Sequence, residues 1–135
     1  MAPICVLLAE DEPLVQVFSQ DVLESGGYGV VAVSNGREAL IAIDDQRQEF
    51  AGLVTDIRLG HGPNGWEVAR HARELNPLIA VVYITGDSAA EWAANGVPNS
   101  MILQKPFADA QLITALSTLL NDASATPAPP QTRPD

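Results

Sequence analysis

The stretch GLVTDIRLG, residues 52–60, runs through apolar side chains and then presents a carboxylate, Asp56. A short apolar, β-branched run bounded by turn residues is what a strand buried on both faces looks like. Four more such runs recur at fairly even intervals: ICVLLA (4–9), GVVAV (29–33), LIAVVYI (78–84) and SMILQ (100–104). Asp56 marks where the third run leaves the core, so the residues that follow each run are the ones to inspect.

The segments between the runs have helical spacing. In EPLVQVFSQDVLESGG (12–27), Leu14, Val15, Phe18, Val22 and Leu23 follow an i, i+3, i+4 pattern, Pro13 suits a first turn, and Gly26 or Gly27 suits the stop. Phe18 and Val22 are expected in the core. In SNGREALIAIDDQ (34–46), Ala39, Leu40 and Ile43 form the apolar stripe, with Ser34 or Asn35 as cap. NGWEVARHARELNP (64–77) stops before Pro77, DSAAEWAANG (87–96) reads as a shorter helix capped by Asp87 or Ser88, and DAQLITALSTLLND (109–122) sets Leu112, Leu116 and Leu119 on one face. The order βαβαβαβαβα predicts a parallel sheet covered by helices on both faces. One domain is expected over residues 1–121. Residues 122–135, DASATPAPPQTRPD, hold four prolines in fourteen positions and read as a disordered tail or linker stub.

At 135 residues and 47% hydrophobic, the chain has the size and composition of one ordinary globular domain. Its one cysteine, Cys5, lies inside an apolar run, so an internal disulfide is excluded and a buried, inert thiol in a reducing compartment is expected. No apolar stretch approaches the ~18 residues that span a bilayer, and no charged leader precedes the first run, so a cytoplasmic, non-membrane protein is expected. The formal charge of −10 would repel a phosphate backbone, which argues against nucleic acid as a partner. The same excess suits a divalent cation or is simply solvated surface.

Ligands of open parallel sheets bind beyond the carboxyl ends of the strands. There the chain places Glu10, Asp11 and Glu12 after the first run, Asp56 after the third, Thr85 and Gly86 after the fourth, and Lys105 and Pro106 after the fifth. Carboxylates held close together repel one another unless a cation sits among them. Oxygen ligands in that number favour magnesium, which combines one or two carboxylates with water and phosphate. Lysine is a compact charge for a phosphoryl oxygen, and the Thr85 hydroxyl and Gly86 amide are further donors. Together they describe phosphoryl transfer with Asp56 as nucleophile. Singly, each has a plainer reading: Asp56 as a turn residue, the EDE run as a solvated loop, Thr85 as a helix cap, Lys105 as a surface lysine.

As an ordered set, LLAEDEP (7–13), LVTDIRL (53–59), VVYITGD (81–87) and ILQKPF (102–107) make residues 4–121 resemble the receiver domain of two-component response regulators. The resemblance implies a flavodoxin-like (βα)5 fold, a doubly wound sheet in strand order 2-1-3-4-5. It implies a signalling module rather than an enzyme, in which Asp56 takes a phosphoryl group from a histidine kinase or histidine phosphotransfer protein. Glu10, Asp11, Asp56 and the Arg58 backbone carbonyl would hold Mg2+. Lys105 and Gly86 would contact the phosphoryl group, Thr85 would swing toward it, and the Lys105–Pro106 bond would be cis. The first helix would dock the kinase, a downstream protein would read the change, and homodimers would form through the fourth helix, fifth strand and fifth helix, roughly Ser88–Leu120. The chain would stand alone or be a receiver excised from a longer hybrid kinase or regulator.

Two departures stand out. Ile102 occupies a position where many receivers have Tyr or Phe, and the loop IRLGHGPNG (57–65) is one residue longer than the common form, with Gly60 where proline is frequent; mobility is expected there. A flavin- or nucleotide-binding protein on the same architecture would need glycines or hydroxyls after the first strand, where AEDEP (9–13) offers carboxylates. A pseudo-receiver is disfavoured by the intact acid, threonine and lysine set. His61 reads as an exposed loop residue, His71 as solvated, and Trp92 as either core or a partner-facing anchor.

Overall fold

Each apolar run becomes a strand in the computed structural model, which describes residues 3–125. The elements are β1 (Cys5–Ala9), α1 (Pro13–Ser25), β2 (Gly29–Val33), α2 (Gly36–Asp44), β3 (Gly52–Asp56), α3 (Gly65–Leu75), β4 (Ala80–Thr85), α4 (Trp92–Asn95), β5 (Ser100–Gln104) and α5 (Asp109–Ala125). The five strands form one parallel sheet in the order β2-β1-β3-β4-β5, as the resemblance implies. Asp56 and Thr85 are the last residues of β3 and β4 themselves. Helix α5 runs to Ala125, past the boundary expected at Asn121, and the rest of the expected tail lies outside the described residues. Among the described residues, no helix is long and apolar enough to cross a membrane.

Period-two alternation divides the core in two. Val6 and Leu8 face α1 and α5 with Val54, Val82, Ile84, Leu23, Leu112 and Leu116. Leu7 and Ala9 face the other side with Leu53, Val81, Tyr83, Trp66, Val68 and Ala72. Strands β1, β3 and β4 are buried on both faces, whereas the edge strand β2 is half-buried throughout. Aromatic packing of Trp66 on Tyr83, 4.7 Å between centroids, ties α3 to the sheet.

Three expectations are corrected. Helix α1 buries Ser19, Val22 and Leu23, but Phe18 stays 42% exposed and Leu14 85% exposed. A helical repeat marks an apolar stripe without saying how far along it a neighbour packs; Phe18 finds the Phe107 ring at 5.8 Å. Residues 87–96 form a 3-10 turn, Ala89–Glu91, and the four-residue α4, with no side-chain cap from Ser88. The Thr85 hydroxyl accepts the amides of Asp87 and Ser88 at 3.1 and 2.7 Å and so does the capping two positions before the earlier of the expected caps. His71 is only half exposed and its Nε2 lies 2.6 Å from Asp44 Oδ1, joining α3 to α2.

Leu53 is fully buried at the centre of the sheet. Leu53→Ala is expected to lower unfolding free energy by about 2–5 kcal/mol, the range for deleting a buried leucine side chain. Urea unfolding followed by far-UV circular dichroism checks this; a loss below 1 kcal/mol would contradict the packing described.

Candidate functional site

Parallel register brings the strand ends level. Ala9 pairs with Thr55, Asp56 with Ile84, and Thr85 with Gln104, so the residues that close β1, β3, β4 and β5 meet along one rim. The Lys105 amide donates to the Thr85 carbonyl at 2.8 Å, and the Lys105–Pro106 bond is cis, as expected.

Asp56 is the centre of this rim. Its Oδ2 accepts from Lys105 Nζ at 2.9 Å and its Oδ1 from the Arg58 amide at 3.2 Å, with the residue 6% exposed. The same ammonium reaches Glu12 Oε1 at 2.5 Å and lies 3.5 Å from Glu10 Oε1. Burial works to strip the Lys105 proton, but the hydrogen bonds to Asp56 and Glu12 and the surrounding negative charge outweigh it and hold the ammonium above its ordinary range.

Glu10 is 1% exposed and carries the strongest perturbation. Burial first, then the charge of Asp56, push its carboxyl up to about 8, against the Glu12 amide and Lys105, which favour the charged form. Glu10 Oε2 accepts the Glu12 amide at 3.1 Å, while the buried Oε1 has no hydrogen-bond partner. Glu10, Asp11 and Asp56 each offer an oxygen within 4.8 Å of the others, Asp11 from an exposed position. Clustered hard oxygens, one of them buried without a partner, match the donor set of a magnesium site. Lysine is the cation that stands among these acids in the protein alone.

Thr85 is 1% exposed, beside exposed Gly86. Since it accepts from two amides, its own O–H is the donor it has left. The Arg58 side chain turns outward to Asp87, 3.0 Å away, linking the loops after β3 and β4 across the rim.

The profile of the response regulator receiver domain matches residues 6–117. The chain belongs to that family. The receiver is 32% identical to the response regulator receiver protein CpdR of Brucella abortus, over 85% of this chain and 95% of CpdR. A response regulator receiver protein from Sinorhizobium medicae superposes with a TM-score of 0.87 at 47% identity, covering 90% of this chain and 97% of that one. The receiver domain of the Pseudomonas aeruginosa sensor histidine kinase PA1611, solved with magnesium in its active site cleft, gives 0.75 at 26% identity over 89% and 99% of the two chains. Against transcriptional regulators such as AlgB of P. aeruginosa and TcrX of Mycobacterium tuberculosis, the receiver spans 25% and 53% of their length.

The two departures now have physical accounts. Ile102 is half-buried against the core on the α3 side, so this receiver has no aromatic ring or hydroxyl there to exchange positions. In the long loop, Gly60 has φ +77, which proline's ring forbids. Leu59 is 2% exposed in the core, and a Cβ on Gly36 would stand 2.0 Å from the Pro63 carbonyl oxygen, so the loop is anchored in the core at one end and against α2 at the other. Leu59 and Pro63 are thus packed anchors, with the exposed residues 60–62 between them.

From the sequence, Asp87 has only a capping role and Gln16 none. Gln16 Nε2 donates to the backbone carbonyls of Glu10 and Val33, each at 3.0 Å, and so steadies the acidic loop. Asp87 follows Thr85 at the same offset as Arg58 follows Asp56, a spacing that pairs them once the register is known.

A folded Glu10 carboxyl, pushed up to about 8, faces an unfolded one that releases its proton near the ordinary glutamate value of 4.5. The folded receiver therefore holds the extra proton in between, and its stability falls as pH rises through that window. In magnesium-free buffer with chelator, the thermal midpoint is expected to fall between pH 5.5 and 8.5, and Glu10→Gln to flatten that slope relative to wild type. Parallel slopes for the two proteins would contradict the assignment.

Proposed function

We propose that this receiver is a phosphoacceptor of a two-component relay and that Asp56 is the accepting residue. The observation that carries the proposal is one carboxylate at a strand end with Lys105 Nζ at 2.9 Å and the oxygens of Glu10 and Asp11 within 4.8 Å. An Asp56 oxygen attacks phosphorus as the P–N bond to the donor's imidazole breaks, and the imidazole leaves with its electron pair. Bound among Glu10, Asp11, Asp56 and the Arg58 carbonyl, Mg2+ would neutralise charge on the transferred group. Lys105 Nζ already stands at the Asp56 carboxylate, where it would meet an oxygen of the transferred phosphoryl group. Positive charge placed there before transfer needs no reorganisation during it.

The Thr85 O–H and the Gly86 amide are the donors for the remaining phosphoryl oxygens. If Thr85 turns toward the phosphoryl group, it gives up the amides of Asp87 and Ser88, which loosens the turn leading into α4. A four-residue helix has few bonds with which to resist that change. The altered segment leads into Ser88–Leu120, the face expected to pair with a second copy of the receiver, and a downstream protein would read the same change. The phosphodonor, a histidine kinase or phosphotransfer protein, meets Leu14, Val17 and Phe18 of α1, which are 85%, 57% and 42% exposed on the side of the acidic loop.

Incubation with acetyl phosphate and Mg2+ is expected to add one phosphoryl group, read by intact mass, to wild type and none to Asp56→Asn. Equal labelling of the two would sink the proposal. Lys105→Ala is expected to slow labelling by about 10²-fold, the usual effect of removing one preorganised donor, while omission of Mg2+ abolishes it.

A further inference from the structure

Helix α2 and the long loop after β3 enclose an open groove of about 740 Å³. Its apolar surface comes from Leu40, Ile41, Leu59 and Pro63, and Arg37 and His61 stand at its rim. Ile41 is 65% exposed, unusual for an isoleucine on a short helix that already packs another face on the sheet.

Charge makes the groove distinctive. The chain carries −10 overall and has seven lysines and arginines, of which Arg133 lies outside the described residues. Arg47 and Arg58 pair with aspartates, Arg70 and Arg73 bind backbone carbonyls, and Lys105 binds Asp56. That leaves Arg37 as the one base among the described residues with no ion pair or hydrogen bond, and His61 is likewise without a partner among them. Asp44, which also lines the groove, is held by His71 at 2.6 Å, and Glu38 Oε1 accepts the Ser34 amide at 2.9 Å. The contact of Gly36 with the Pro63 carbonyl fixes loop against helix, so the groove is shaped before anything binds.

We infer that this groove binds an acidic segment of a partner protein, one large apolar side chain seated against Ile41, Leu40 and Pro63 and a carboxylate paired with Arg37. A basic segment would leave Arg37 facing like charge. A small anion would satisfy Arg37 but leave the isoleucine in water, where the apolar surface contributes nothing. His61 adds a ring nitrogen that donates a hydrogen bond in either protonation state. The groove uses no atom of Asp56, Glu10 or Lys105 and stands independently of the phosphoryl chemistry.

The test uses a library of random twelve-residue peptides displayed on phage and selected on the full chain. Acid-rich peptides with a large apolar residue are expected, shifting the amide resonances of residues 36–41 and 59–63. Arg37→Glu and Ile41→Asp are each expected to weaken binding by about tenfold or more, the scale of a lost charge-assisted contact, with thermal midpoints and acetyl phosphate labelling unchanged. Leu14→Asp on α1 is expected to bind as wild type. Failure to enrich acidic peptides, or enriched peptides that bind both groove variants like wild type or are lost with Leu14→Asp, would overturn the inference.

Discussion

Parallel strand register is the constraint on which the functional rim depends. In a parallel ladder every strand ends at the same side of the sheet, and β1, β3, β4 and β5 end within one residue of a common level. Residues as far as 93 positions apart in the chain thereby become neighbours. Lys105 reaches Asp56 and Glu12 because Asp56 closes β3, Lys105 follows β5, and the acidic loop follows β1. The two-faced core behind them, with Val6 and Leu8 on one side and Leu7 and Ala9 on the other, holds that level rigidly.

The rim is electrostatically expensive. Glu10 is buried with an oxygen that makes no hydrogen bond, next to Asp56 and 3.5 Å from the ammonium it shares with Asp56 and Glu12. Such an arrangement is destabilising by itself and is offset by the hydrophobic layers beneath it. Retaining it makes physical sense if charge is to arrive and leave at this point: a cation or a phosphoryl group changes the balance of the whole cluster. Tight packing below and frustrated charge above are complementary halves of one design, a stiff platform under a responsive surface.

Connections between the rim and the surface run through backbone amides. The Arg58 amide binds Asp56, while its side chain binds Asp87; Asp87 and Ser88 amides bind Thr85. The loops after β3 and β4 are thus tied to each other and to the two residues that end those strands. On the far side, the β3 loop ends at Pro63 against α2. Features such as these explain why a longer loop with three glycines can be locally well packed: Leu59 and Pro63 supply burial that composition alone does not reveal.

Local sequence determined the elements and their order, because apolar period and turn residues act within a few positions of themselves. It also placed Glu10, Asp11, Asp56, Thr85 and Lys105 at strand ends, where strand count and connectivity leave little choice. Tertiary structure decided what those residues touch. Glu12, given no role by spacing, bonds to Lys105; Phe18, apolar and on the core stripe, stays half in water; His71, expected in solvent, binds Asp44. Each outcome turns on which side chain from a distant segment stands opposite, a quantity that local periodicity does not contain and that the packing of helices on both faces of the sheet supplies.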